Sequence, residues 1–233
     1  MRALLRMLLA LAALPFCWAL ARVLLDAVWT AAGRGGGVFG AETIAFVAGM
    51  AAFLAVWVCL PHPMKTYVLA HELTHALWGL LFFAKPSKLR VAASGGSVRL
   101  TKSNLLITLA PYFFPFYSFI VILLALATWC FVRPLPCLPA WMFAIAFTWA
   151  FHILFTLDTL ATRQPDITLY GRIFSWTFIY VANVAVVLIW LAATTNLAFA
   201  ELWDIICSRT ASAYSGVSGA ALYVAHWLAN VAH

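Results

Sequence analysis

Apolar stretches near 3–25, 39–60, 64–84, 105–132, 138–160 and 168–195 each reach the roughly 20 residues that an α-helix needs to cross a bilayer. Six such runs in 233 residues leave little chain for a soluble domain. Charge points the same way. Only 9% of the residues are charged, 14 basic and 7 acidic, while 66% are hydrophobic. An average soluble domain is about a quarter charged. So few charges cannot solvate a globule of this size. Disorder is excluded too, because it needs low hydrophobicity and high charge. The sequence therefore predicts an all-α integral membrane protein with about six transmembrane helices. In that setting the net charge of +7 reads as loop charge that orients the chain and meets anionic lipid, not as a nucleic-acid footprint.

Turn-forming clusters separate the spans. Gly35-Gly36-Gly37 parts the first from the second, and Pro61-His62-Pro63 the second from the third. Arg133-Pro134-Leu135-Pro136 parts the fourth from the fifth, and Arg163-Gln164-Pro165-Asp166 precedes the sixth. Arg2 and Arg6 ahead of an apolar core look like a secretory signal, but apolar residues continue through Leu25, Val28 and Trp29, which favours an uncleaved anchor. The expected organisation is an N-terminal transmembrane pair over 1–63, a membrane core over 64–195, and a tail over 196–233. The apolar end of that tail, 217–232, is short for a span and reads as an interfacial helix. The five cysteines (17, 59, 130, 137 and 207) form no CxxC pair and read as small packing residues.

One segment departs from the apolar pattern. Over 88–102, Leu89, Val91 and Ala93 alternate with Lys88, Arg90 and Ala92, and Val98 and Leu100 alternate with Arg99 and Thr101. Ser94-Gly95-Gly96-Ser97 lies between the two arms, so the pattern predicts one short β-hairpin. Placing it on the cytoplasmic side puts nine basic residues inside and five outside, in keeping with the excess of Lys and Arg in cytoplasmic loops.

The chemistry is concentrated in the third span, at His71-Glu72-Leu73-Thr74-His75. Residues four apart on an α-helix lie on one face, so both imidazoles can point at one metal ion. Glu72 sits beside that face, where it can hold and deprotonate a water. Six His and three Glu placed at random in this chain give about 0.002 occurrences of HExxH. Ionisable groups inside a span cost a few kcal/mol and mark function by default. A zinc centre needs a third protein ligand and an open position. Among the seven acids and six histidines, the candidates are His152, Asp158 and Asp166, all at or after the fifth span. Asp166 follows Pro165, where the helix is interrupted and a carboxylate can turn inward. Asp158 stands at the end of the fifth span. His152 lies deeper, as an outer hydrogen-bonding residue or a substrate-site residue.

An HExxH motif in a transmembrane helix, a β-hairpin after it and a later Asp resemble the site-2 protease (M50) class of intramembrane zinc metalloproteases. The closer likeness is to compact bacterial M50-type peptidases with a Gln-Pro-Asp element. The resemblance rests on His71–Leu80, Ser94–Val98, Asn104–Tyr112, Phe151-His152, Gln164-Pro165-Asp166 and Tyr170-Gly171, and covers roughly 64–190. It implies one Zn2+ per chain on His71, His75 and Asp166, with Asp158 as the alternative third ligand and Glu72 as general base. It also implies a membrane-protein substrate, a hairpin that aligns it on the cytoplasmic side, and a place in the bacterial cytoplasmic membrane. The Leu-Asp-Gly motif of better-known members is missing; Leu157-Asp158-Thr159 is its nearest string. No PDZ or CBS domain fits this length, so a substrate-gating module is expected to be a separate protein. The rival expectations are a non-enzymatic metal-binding or transport protein and an inactive protease-like scaffold.

Overall fold

The computed structural model describes residues 1–33 and 40–231; the expected Gly35–Gly37 break lies outside them. The described chain is mostly helical. In order come α1 (Arg2–Ala12), α2 (Leu14–Gly33), α3 (Ala41–Cys59) and α4 (Met64–Leu81), then strands β1 (Pro86–Ala92) and β2 (Gly95–Leu100). After them follow α5 (Leu105–Leu109), a 3-10 turn over Ala110–Tyr112, α6 (Phe116–Phe131), α7 (Leu138–Ala161), α8 (Pro165–Tyr170), α9 (Arg172–Thr194) and α10 (Phe199–Val231).

Among the described residues, four helical segments are long and apolar enough to cross a membrane: Ala3–Ala31, Ala41–Cys59, Leu138–Ala161 and Arg172–Thr194. A fifth is reached if the bent pair Leu105–Tyr112 and Phe116–Phe131 counts as one span. These helices mark a membrane protein; of the six expected spans, four or five pass on length and composition among the described residues. The missing one is α4, which carries Lys65, Thr66, His71, Glu72, Thr74 and His75 in 18 residues. The expected fourth span is bent by 83°, between Pro111 and Pro115, because proline ends one helix and starts the next. The tail differs as well: α10 is one continuous helix of 33 residues rather than a polar segment followed by a short interfacial helix.

The helices fall into two compact units. The first joins α1 and α2 to everything from Tyr170 onward; the second runs from Gly37 to Leu169. Helix α3 belongs with the motif helix, and α9 belongs with the N-terminal helices. In the first unit Val23 and Ala27 of α2 pack with Val184 and Leu188 of α9 and Leu202 of α10. Arg209 Nε donates to Asp26 Oδ2 at 2.6 Å, tying α10 to α2.

In the second unit α3 lies against α7 over most of its length. Close approach is possible because Gly49 has no side chain; a methyl group there would run into the carbonyl of Phe143. Phe53, Ala150, Phe151 and Phe155 form the core between them. The hairpin folds back along α4. Leu100 sits on Gly79, and Gly96 sits on Val68 and Glu72. The two strands are antiparallel, with Ala92 opposite Gly95 and an irregularity between Ser87 and Arg90. The turn is therefore at Ala93-Ser94, one step before the expected tetrapeptide. Gly95, at φ +139°, makes the exit from it.

Candidate metal centre

His71 and His75 lie one turn apart on the same face of α4, with ring centroids 4.9 Å apart. Asp166 reaches them from α8. Helix α7 ends at Ala161, Thr162 is extended, and Pro165 opens a new six-residue helix. Proline suits the first helical position because the amide it lacks has no partner there. This reversal carries Asp166 back to α4. One ligand atom from each of His71, His75 and Asp166 lies within 4.8 Å of the others.

The finer distances bear on what this cluster can hold. Asp166 Oδ2 is 3.4 Å from His71 Nε2 and 3.4 Å from His75 Nε2. A charge-assisted hydrogen bond between such groups would be about 2.7–2.9 Å. Ligand atoms about 2.0–2.1 Å from a tetrahedral zinc ion stand about 3.3–3.4 Å from one another. The two Asp–His separations are close to edges of such a tetrahedron, while the three ligand atoms as a group spread over up to 4.8 Å. Two imidazoles and one carboxylate also form the donor set of zinc sites that keep a fourth position open. Burial alone would push the Asp166 carboxyl up, but the imidazoles of His71 and His75 facing it hold it well below the usual carboxylate range.

Each ligand is oriented from behind. His75 Nδ1 is 2.9 Å from the carbonyl oxygen of Ile107. That carbonyl is placed by α5, whose first turn is capped: the Ile107 amide donates to Asn104 Oδ1 at 2.9 Å. His71 Nδ1 is 3.3 Å from Tyr67 Oη, and Thr159 Oγ1 of α7 donates to that same hydroxyl at 2.8 Å. Tyr112 Oη donates to Asp166 Oδ2 at 3.3 Å. Facing a carbonyl, His75 Nδ1 must donate, which leaves its Nε2 lone pair for a metal; His71 Nε2 is left the same way when its Nδ1 carries the ring proton.

Glu72 is buried between α4 and the hairpin. Gly96 of β2 packs against its Cγ, and Val98 follows two residues on along the same strand. Glu72, His71, His75 and Asp166 all border one cavity of about 770 Å³, walled on one side by β2 and the Ala93-Ser94 turn. Asp158 borders this cavity too, exposed, and stands outside the three-ligand cluster among the described residues. His152 does not line it. It is buried on α7 beside a separate space of about 20 Å³, behind His71, shared with Tyr67 and Thr74.

Sequence reasoning missed Tyr67, Thr159, Tyr112 and the Ile107 carbonyl. Tyr67 had a signal, because it precedes His71 by four residues and so shares its helix face. The contacts of Thr159 and Tyr112 span 92 and 54 residues and leave no local trace. No protein-family model matches the chain, nor does any curated protein or solved structure.

Proposed function

We propose that this chain is an intramembrane zinc metalloprotease of the site-2 protease-like (M50) type. It hydrolyses peptide bonds of membrane-protein substrates in or near the bilayer. The observation that carries the reading is the convergence of His71, His75 and Asp166 within 4.8 Å, beside a buried Glu72 on the wall of a large cavity. A transport site would need the ligands but not the carboxylate next to them.

His71, His75 and Asp166 would hold one Zn2+ per chain, and bound zinc would polarise the scissile carbonyl and bring the pKa of a water towards neutrality. Glu72 accepts the proton of the attacking water and returns it to the leaving amine. Gly96 of β2 packs on that side chain. A helical substrate has its carbonyls bonded internally, so it unwinds locally to present an extended bond. The two-stranded sheet has unpaired edges, and strand addition beside Gly95–Val98 would supply the hydrogen bonds lost on unwinding. In this reading α4 lies at membrane depth, its polar face covered by the hairpin. The hairpin enters from the cytoplasmic side of a bacterial inner membrane, and any substrate-gating module is a separate protein.

The test compares wild type with Glu72→Gln, purified in detergent, for zinc content and for cleavage of a helical transmembrane peptide. The expected result is one zinc in both and cleavage only in the wild type. Equal cleavage by both would refute the role of Glu72. A folded, chelator-free wild type without zinc would refute the metal centre. Zinc uptake into proteoliposomes that survives Glu72→Gln would favour transport instead.

A further inference from the structure

The two histidines of the cluster are held by different means. His75 relies on a main-chain carbonyl, that of Ile107, which no side-chain substitution removes. His71 relies on a side chain. Its Nε2 faces Asp166 Oδ2, so the ring proton must sit on Nδ1 if Nε2 is to keep a lone pair for a metal. The group on the Nδ1 side is Tyr67 Oη, at 3.3 Å.

Tyr67 is itself immobilised by α7 through two contacts. Its ring stacks on Phe155 with centroids 4.7 Å apart and planes 6° from parallel. Its hydroxyl receives the Thr159 hydroxyl at 2.8 Å. These two partners are four residues apart and therefore lie on one face of α7. The same helix delivers the third ligand, because Asp166 follows Thr159 by seven residues, across the Pro165 break. A contact between Thr159 and Tyr67 thus fixes the end of α7 against α4, one turn from His71, at the point from which the chain turns back with Asp166.

We propose that Tyr67, anchored by Thr159, is the positioning residue that orients His71 as a metal ligand and ties the Asp166 segment to the HExxH helix. The proposal rests on the reading of His71, His75 and Asp166 as a zinc centre. Outer partners of this kind fix the tautomer and ring angle of a ligating histidine, and losing one typically weakens metal binding about 10- to 100-fold.

Tyr67→Phe removes the hydroxyl and leaves the ring to stack on Phe155. The full-length wild type, Tyr67→Phe and Thr159→Val would be stripped of metal in detergent and titrated with zinc alone against a chelator of known affinity. The cobalt-loaded forms would be compared by visible absorption, and the metal-free forms by thermal unfolding. The expected result for Tyr67→Phe is zinc affinity about 10- to 100-fold weaker with altered cobalt bands, and Thr159→Val shifting in the same direction by less. Zinc affinity within twofold of wild type and an unchanged cobalt spectrum in Tyr67→Phe would overturn the proposal, including where its metal-free unfolding temperature falls, since that outcome marks a packing role only. If Tyr67→Phe does not fold, Thr159→Val decides, and wild-type affinity in that variant overturns the proposal. A wild type that binds no zinc would overturn the zinc centre itself, which separates that failure from failure of Tyr67 alone.

Discussion

Alanine at position 96 tests whether the hairpin is fitted to the motif helix or merely lies near it. A methyl group there would come to 2.6 Å from Val68 Cγ1, 2.8 Å from Glu72 Cγ and 2.9 Å from the Arg90 carbonyl oxygen, where ordinary contacts are 3.4–4 Å. Something must move by roughly 0.5–0.8 Å, and overpacking of this kind costs about 1–3 kcal/mol. The three neighbours differ in freedom. The Arg90 carbonyl belongs to the paired strand, opposite Ser97. Val68 is β-branched and stiff at χ1 in a helix. Glu72 is the flexible partner, so the strain falls on its side chain and displaces its carboxylate. A displacement near 1 Å at a reacting group can cost about 100-fold in rate. We expect Gly96→Ala to unfold about 1–3 kcal/mol more easily in detergent, to exchange amide hydrogens faster over 95–100, and to lose up to about 100-fold in cleavage. It should keep one zinc, because no ligand moves. Stability and exchange both equal to wild type would refute the fitted interface.

Two further perturbations separate roles within the cluster. Asp166→Ala should abolish stoichiometric zinc in the purified protein while Asp158→Ala retains it, as read by elemental analysis; the reverse pattern would make Asp158 the third ligand. Asn104→Ala removes the cap of α5, at about 0.5–2 kcal/mol. By loosening the Ile107 carbonyl it should also weaken zinc in chelator competition, and unchanged zinc affinity would show that the carbonyl does not depend on the cap.

What was legible in the sequence was local. His71, Glu72 and His75 need one helical turn, and that spacing survives any tertiary arrangement. Asp166 stood out because Pro165 interrupts the helix beside it. The hairpin was legible from alternation, but its turn was placed on Gly95 and Gly96. Only Gly95 serves the turn, through a positive φ. Gly96 is needed because the strand presses on Val68 and Glu72, a contact that a one-dimensional pattern does not carry. The same limit hid Tyr67 and Thr159, which meet across 92 residues. Length alone marked 64–84 as a span, whereas the polar side chains that make the site lower the apolar character of the helix that bears them.

That conflict explains the segments that follow α4. Ionisable and polar groups in an apolar setting cost a few kcal/mol each unless they find partners. The polar groups of the motif are met from different parts of the chain. Thr74 bonds the Ala70 carbonyl within the helix. Glu72 is covered by Gly96 of β2. His75 takes the Ile107 carbonyl from the capped turn of α5. His71 takes Tyr67, which α7 secures through Thr159. Asp166 arrives from α8 facing both rings. A straight apolar hairpin of helices could not supply this set, since its backbone groups are spent on their own helices. A strand, a short capped helix and a proline-broken return each leave a backbone or side-chain group free to bond sideways. The strand, the capped turn and the proline-broken return thus stand where the motif helix takes its partners.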